Sequence, residues 1–304
     1  MPVIHGNNYA DLLKSFQEGG SEQLQIITDF DETLTTFVGS DGAKGLQCHE
    51  IILKFMDTSA LGLKEELSPL LEWHGMSEDA RMQVCEGSVD ERKKRSRWWF
   101  ETFQQVSAKF ELWRQVAACL ELSNTKTRYG LAETFDILQE SGIPLLIVSA
   151  GLQQFISAVF ERNDVKLSER TEIVSNDMTS PSVRVTSRNK ADIASTLAHE
   201  HFQLAAKEGR RHILVMGDKP ADCNVVLKGF DGCQVLKVGF MKGSPSAPAR
   251  EEERLDDYLQ HFDIILTDDA PLCHINEIIR TICATTNDRK RKLESLESSG
   301  EKKK

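Results

Sequence analysis

Short apolar runs separated by stretches of helical periodicity recur along this chain, and that alternation restricts the fold more than any other feature. The runs are LQIIT (24–28), IPLLIVSAG (143–151), TEIVSN (171–176), HILVMGD (212–218), QVLKVGF (234–240) and FDIILTDD (262–269). Between them, Gln153–Arg162, Lys190–Lys207 and Glu251–His261 carry the spacing of amphipathic helices. Strands alternating with helices predict an α/β fold, a parallel sheet covered on both faces. In such a sheet a ligand binds beyond the carboxyl ends of the strands. Three runs end there in reactive residues: Asp29 and Asp31, Ser149 with Gly151, and Asp218 with Asp222.

Residues 40–134 break the alternation. They are rich in charge and poor in β-branched runs, and Lys54–Trp73, Ser77–Glu86 and Val89–Leu122 are predicted helical. The block reads as a helical cap inserted into a discontinuous core of residues 1–39 and 135–285. A length of 304 residues, 40% of them hydrophobic, suits a core with such an insert. Residues 286–304, TNDRKRKLESLESSGEKKK, have almost no apolar content and read as a disordered charged tail. Within it RKRK (289–292) reads as a solvated charge run rather than a nuclear import signal. The formal charge of -10 disfavours nonspecific binding to nucleic acid or to anionic membrane. Seven scattered cysteines without a CxxC pair indicate neither a disulfide framework nor a zinc site. No basic-then-apolar leader opens the sequence, and no apolar run approaches the ~20 residues of a membrane span. A monomer in the reducing cytoplasm is the expectation.

Asp29 and Asp31 close the run that reads as a buried strand. Residues two apart on a strand point the same way, so both carboxylates share one site while Phe30 turns back toward the core. Carboxylates at one buried point repel, and a divalent cation compensates them. Asp29 is the candidate nucleophile, forming an aspartyl-phosphate. Asp31 is the candidate acid and base, protonating the leaving oxygen and then deprotonating the water. Asp218 and Asp222, four apart in GDKPAD, are candidate ligands of a Mg²⁺ that Asp29 also binds. That segment also fits a plain Asp-initiated turn with Pro220 opening a helix. Ser149, with Ala150 and Gly151 at the head of the next helix, can offer a hydroxyl and backbone N–H groups to a phosphate oxygen, or serve as an ordinary N-cap. Lys190 opens a helix, where a cation opposes the macrodipole unless an anion lies near.

In order and spacing DFDET, VSAG, Lys190 and GDKPAD resemble the four motifs of the haloacid-dehalogenase-like (HAD) hydrolases, a Rossmannoid superfamily of Mg²⁺-dependent phosphoryl-transfer enzymes. Adding CHEII (48–52), IVSN (173–176), NK (189–190), VLKVGF (235–240) and FDIILTDD narrows the resemblance. Together they are similar to the cytosolic 5′-nucleotidase type III, or pyrimidine 5′-nucleotidase, family from about residue 21 to 283. The resemblance implies a HAD-like core with an inserted, mainly helical cap. It makes Asp29 nucleophile and metal ligand, Asp31 acid/base and metal ligand, and Asp218 metal ligand. Asp222 supports the metal, and Ser149 and Lys190 hold the phosphate. The family has a glutamate followed by paired aromatics that recognise the nucleobase. The best-spaced match is Arg97-Trp98-Trp99, with arginine in place of glutamate. Glu101, one helical turn on, either takes over as acceptor or pairs with Arg97. Lys219 and Pro220 replace small or polar residues, and Lys219 is expected to point outward.

The implied activity is Mg²⁺-dependent hydrolysis of a nucleoside 5′-monophosphate, a pyrimidine nucleotide or 7-methyl-GMP, with phosphotransfer to another nucleoside as a side reaction. Two alternatives stay open: a HAD phosphatase acting on a non-nucleotide phosphomonoester, and an inactive nucleotide-binding protein.

Overall fold

The computed structural model describes residues 3–6, 8–58, 64–182, 184–186, 189–190, 208–226, 232–243 and 248–286. Seven strands form one sheet: β1 (Val3–His5), β2 (Leu24–Thr28), β3 (Leu145–Leu152), β4 (Thr171–Asn176), β5 (His212–Gly217), β6 (Gln234–Met241) and β7 (Ile264–Thr267). Their order is β1-β7-β6-β5-β2-β3-β4, with β1 antiparallel to β7 and every other pair parallel. The expected α/β class and parallel sheet are found.

All residues of β2 and β5 are buried, as strands sandwiched between helical layers must be. Their neighbours alternate faces. Ile26, Ile147 and Leu214 enter the large core, whereas Ile27, Leu146, Val148, Ile213 and Val215 form a smaller apolar cluster. The sheet therefore has two dry faces, and a reactive group has room only at the strand ends. Chain order reverses at β2, with β3 on one side and β5 on the other. This is the switch point where a crevice opens in such sheets.

The helices are α1 (Tyr9–Gly19), α2 (Cys48–Thr58), α3 (Lys64–Gly75), α4 (Glu78–Val84), α5 (Val89–Lys109), α6 (Val116–Glu121), α7 (Leu131–Glu140), α8 (Gln153–Arg162) and α9 (Pro248–His261), followed by a helix over 273–286. Between β2 and β3 the described residues contain helices α2 to α7 and no strand of the sheet. Ser77 caps α4 by accepting from the Ala80 N–H, and Ser88 caps α5 by accepting from the Glu91 N–H.

Several expected boundaries move. The helix predicted to begin at Lys54 begins at Cys48 and ends at Thr58, and α3 starts at Lys64. The helix predicted over Val89–Leu122 stops at Lys109. There Glu111 takes a left-handed φ of 49°, and a 3-10 turn (Leu112–Gln115) and α6 follow. The division expected between residues 134 and 135 falls inside α7, which is continuous. Of the helix predicted over Lys190–Lys207, residues 191–207 lie outside the described residues. Thr286, expected to open the tail, is helical and buried, and its hydroxyl accepts from the Ser21 N–H at 2.8 Å. Residues 287–304 lie outside the described residues. No described helix is long and apolar enough to cross a membrane.

Candidate active site

β2 delivers the Asp29 carboxylate to the crevice, and the loop after it delivers Asp31. The chain turns between them because Phe30 is buried in the core, edge-on to Phe160. The Phe30 N–H donates to Asp29 Oδ1 at 2.7 Å, which orients that carboxylate. One residue past Asp31, Glu32 takes a φ of 61°, a conformation that L-residues adopt at a cost of roughly 1–2 kcal/mol. Its N–H is met by Thr35 Oγ1 at 2.8 Å and its carbonyl by Arg128 at 2.9 Å.

From β5 the chain turns sharply into a 3-10 helix (Pro220–Val226). Gly217 is required there: a Cβ on it would lie 2.3 Å from the Cβ of Asp222. The Lys219 N–H donates to Asp222 Oδ2 at 3.0 Å, and Tyr258 donates its hydroxyl to the Asp218 carbonyl. These contacts bring Asp218 and Asp222 back beside Asp29. The three offer carboxylate oxygens all within 4.8 Å of one another.

Ser149, Ala150 and Gly151 are still in β3, and α8 begins only at Gln153. Ser149 is therefore not an N-cap. The pairing of β3 with β4 shifts register between Val148 and Leu152, a bulge that aims this segment at the site. The Gly151 N–H donates to Ser149 Oγ at 3.0 Å. A Cβ on Gly151 would lie 2.9 Å from Cys48 Sγ and 3.2 Å from Asp31 Oδ2, so this strand and Asp31 are in near contact.

Lys190 is buried, and its ammonium lies 2.8 Å from both Asp29 Oδ1 and Asp222 Oδ1. Asp31 stands outside the triad. Its Oδ1 accepts from the Cys48 N–H at 3.2 Å and from the Cys48 thiol at 3.4 Å. Lys219, expected to face outward, instead lies with its ammonium 2.9 Å from Asp218 Oδ2.

Burial pushes the carboxyl of Asp29 up to about 7, against the downward pull of the Lys190 ammonium. Burial, reinforced by the Asp29 charge, pushes Asp31 up to about 7. Burial likewise raises Asp218 to about 6, with Lys219 opposing it. All three shifts come first from burial of the carboxyls. Asp218 Oδ1 is buried and has no hydrogen-bond partner. An all-oxygen donor set with one orphaned carboxylate oxygen fits a hard divalent cation such as Mg²⁺.

The residues expected to read a nucleobase lie on α5. Arg97 and Glu101 are exposed, and Trp98 is 38% exposed. Trp99 is 5% exposed, and its indole N–H donates to the Leu70 carbonyl at 2.9 Å. It stacks on Phe103, with ring centroids 5.3 Å apart. Helical residues one apart diverge by about 100°, so adjacent tryptophans on α5 meet different surroundings. His49, which follows Cys48 on α2, has its ring 5.5 Å from Trp99, 5.4 Å from Phe100 and 4.9 Å from Phe103.

Residue types alone do not single out two supporting residues. Cys48 holds Asp31. Asn176 donates to the carbonyls of Ala150 and Val185 and accepts from the N–H groups of Arg184 and Val185, all at 2.7–2.9 Å. It thereby ties the β3 bulge to the segment that carries Lys190. The signal for both lies in the CHEII and IVSN segments, which mark them without revealing what they touch.

Comparison with known proteins agrees with this geometry. A family model described as pyrimidine 5′-nucleotidase (UMPH-1) matches residues 32–283. The 7-methylguanosine phosphate-specific 5′-nucleotidase of Gallus gallus is 26% identical over 287 residues, covering 90% of this chain and 93% of that protein. Its Homo sapiens counterpart is 27% identical over 289 residues, covering 90% and 89%. A crystal structure of cytosolic 5′-nucleotidase IIIB bound to cytidine superposes with a TM-score of 0.71 at 21% identity, over 94% of this chain and 95% of that one. With the carboxylate site at the switch point and a family match across most of its length, the chain belongs to the pyrimidine 5′-nucleotidase (UMPH-1) family, and with it to the phosphoric monoester hydrolases.

Proposed function

We propose that this chain is a Mg²⁺-dependent 5′-nucleotidase that cleaves a nucleoside 5′-monophosphate to nucleoside and phosphate through an aspartyl-phosphate on Asp29. The observation that carries the reading is the meeting of Asp29, Asp218 and Asp222 around the buried Lys190 ammonium, with Asp31 held separately by Cys48. Asp29, Asp218 and Asp222 would hold the Mg²⁺, which supplies charge neutralisation for the phosphoryl group.

The remaining steps belong to the chain's own residues. Phe30 N–H and Lys190 both bond Asp29 Oδ1, which assigns the attack on phosphorus to Oδ2. As the new O–P bond forms, the bond to the 5′ oxygen breaks, and Asp31 gives that oxygen its proton. Burial, reinforced by the Asp29 charge, raises the Asp31 carboxyl, which favours its holding that proton. In the second half-reaction Asp31 takes a proton from water, whose oxygen displaces Asp29 from phosphorus. Lys190 and the Ser149–Gly151 bulge would hold the phosphate oxygens in both steps. Another nucleoside in place of water gives phosphotransfer.

The helical block from α2 to α6 would act as the cap. The relatives named for 7-methylguanosine phosphate, and the cytidine held by the solved structure, support a methylated purine or a pyrimidine nucleotide as substrate. The exposed Arg97, Trp98 and Glu101 remain the proposed contacts to a base, and the buried rings of Trp99 and Phe103, with Phe100 and His49, would back that surface. The proposal includes a cytoplasmic monomer acting on free nucleotides.

The test is phosphate release from a panel of nucleoside monophosphates that includes 7-methyl-GMP, with Mg²⁺ and then with EDTA. Release confined to one or two bases and abolished by EDTA is expected. Asp29→Asn should eliminate it while the circular dichroism spectrum stays unchanged. Full turnover by Asp29→Asn would sink the assignment.

A further inference from the structure

The carboxylate site holds more positive charge than a phosphate-binding lysine alone supplies. Lys190 is the expected ammonium, buried and shared between Asp29 and Asp222. Lys219 is the second, and its position follows from the turn that carries it. Its N–H is bound to Asp222 Oδ2 at 3.0 Å, its carbonyl accepts from the Asp222 N–H at 2.9 Å, and Pro220 restricts the next φ. The Lys219 backbone is thus fixed at the rim, and its side chain folds back until the ammonium lies 2.9 Å from Asp218 Oδ2.

The two members of this pair differ sharply in exposure. The Asp218 side chain is 4% exposed and that of Lys219 is 56% exposed. Asp218 cannot leave, whereas the lysine stem can swing into water. The other Asp218 oxygen, Oδ1, is buried without a partner. One oxygen of this carboxylate is therefore engaged by a tethered monovalent cation and the other awaits a donor or a metal.

We propose that Lys219 is a built-in competitor for the divalent cation, an affinity-setting residue that occupies Asp218 until the metal displaces it. The inference rests on the reading of Asp29, Asp218 and Asp222 as metal ligands. A metal taken up on the free Oδ1 would be repelled by the ammonium held on Oδ2 of the same carboxylate, so metal entry favours departure of the ammonium. The exposure of the lysine makes that departure feasible, and the loss of its ion pair weakens metal binding. The same pair compensates Asp218 in the metal-free protein, so the fold does not depend on the metal for that charge.

The experiment measures Mg²⁺ binding to the full chain by isothermal titration calorimetry, without substrate, for the wild type, Lys219→Met, Lys219→Ser and Asp218→Asn. Melting curves with and without Mg²⁺ accompany the titrations. An ion pair this exposed is worth only a modest factor, so Lys219→Met and Lys219→Ser are expected to bind Mg²⁺ about two- to fivefold more tightly. Their metal-free melting temperatures should fall, and Mg²⁺ should raise them by more than it raises the wild type. Binding by the lysine variants alone, with none by the wild type, would support the proposal in its strongest form. Unchanged or weaker affinity in both lysine variants, with binding lost in Asp218→Asn, overturns the role of Lys219 and leaves the metal site standing. No binding by the wild type or either lysine variant overturns both.

Discussion

Among the described residues Arg128 is the largest fully buried side chain, and replacing it with methionine would remove a charge while keeping most of the volume. Its Nε donates to the Thr33 carbonyl at 2.7 Å and Nη2 to the Glu32 carbonyl at 2.9 Å. Nη1 donates to the carbonyls of Ala270 at 3.0 Å and Asp268 at 3.3 Å. The guanidinium also lies over the Phe240 ring at 4.3 Å and 3.8 Å from the Asp269 carboxylate. Burial pulls its pKa down to about 10, with Asp269 resisting, so it remains a cation at neutral pH. One side chain thus pins the turn after Asp31 to the loop after β7. Hydrogen bonds to charged groups contribute roughly 1.5–3 kcal/mol each but do not sum, and breaking a buried ion pair costs about 3–5 kcal/mol. Methionine leaves the four carbonyls without this donor and creates little cavity. The expected loss is therefore about 3–5 kcal/mol, measured by urea denaturation followed by circular dichroism. Arg128→Lys would keep the charge without the planar fork, and an intermediate loss is expected. At a temperature where both variants are folded, phosphate release should also fall, because the left-handed Glu32 loses its carbonyl anchor next to Asp31. A destabilisation below about 1 kcal/mol in Arg128→Met would show that the reasoning about this clamp is wrong.

Other substitutions probe the site and the block above it. Gly151→Ala should reduce phosphate release at least about tenfold, with little change in melting temperature. The new Cβ meets Cys48 Sγ at 2.9 Å and Asp31 Oδ2 at 3.2 Å, and wild-type rates would refute this. Trp99→Ala should cost about 3–5 kcal/mol as a buried aromatic, whereas Trp98→Ala should stay within about 0.5 kcal/mol; equal effects in denaturant titrations would contradict the burial. Burial, helped by His74 and opposed by Glu50, lowers the His49 imidazole to about 4. A depressed folded-state pKa means that the unfolded chain binds the extra proton first. The stability due to neutral His49 is therefore complete above about pH 6.5 and is lost as pH falls toward 4, by about 1–3 kcal/mol in all. His49→Gln should flatten that part of the stability–pH curve, and an unaltered slope would count against it.

The sheet was legible because its central strands are buried on both faces and so read as unbroken apolar runs. Strand β1 carries no such mark: it has three residues and pairs on one side only, with β7. Helices α1 and α7 are amphipathic, but neither ends in a reactive residue that would draw notice. In the helical block, composition announced helices and could not announce their breaks. Glu111 stops α5 through a left-handed backbone that no glycine or proline signals. At the site, Asp29, Ser149, Asp218 and Asp222 could be named because they close apolar runs, and Lys190 through its place in the resembled motifs. Arg97, Trp98 and Glu101 were chosen by spacing against a motif, and spacing along a helix cannot say which face looks inward. The inward reach of Lys219 depends on side-chain torsions that the sequence leaves open.

Helix α2 begins with two neighbours that serve different groups. Cys48 grips the Asp31 carboxylate, while His49 sits among the rings of Trp99, Phe100 and Phe103. Under the proposed reading, the residue that holds the proton donor and the residue that packs on the rings of α5 sit on the same helical turn. A displacement of α2 by a badly fitting base would loosen the grip on Asp31 in the same motion. Such an enzyme would discriminate among nucleotides in turnover as well as in binding, with poor substrates bound yet left without a well-aimed acid.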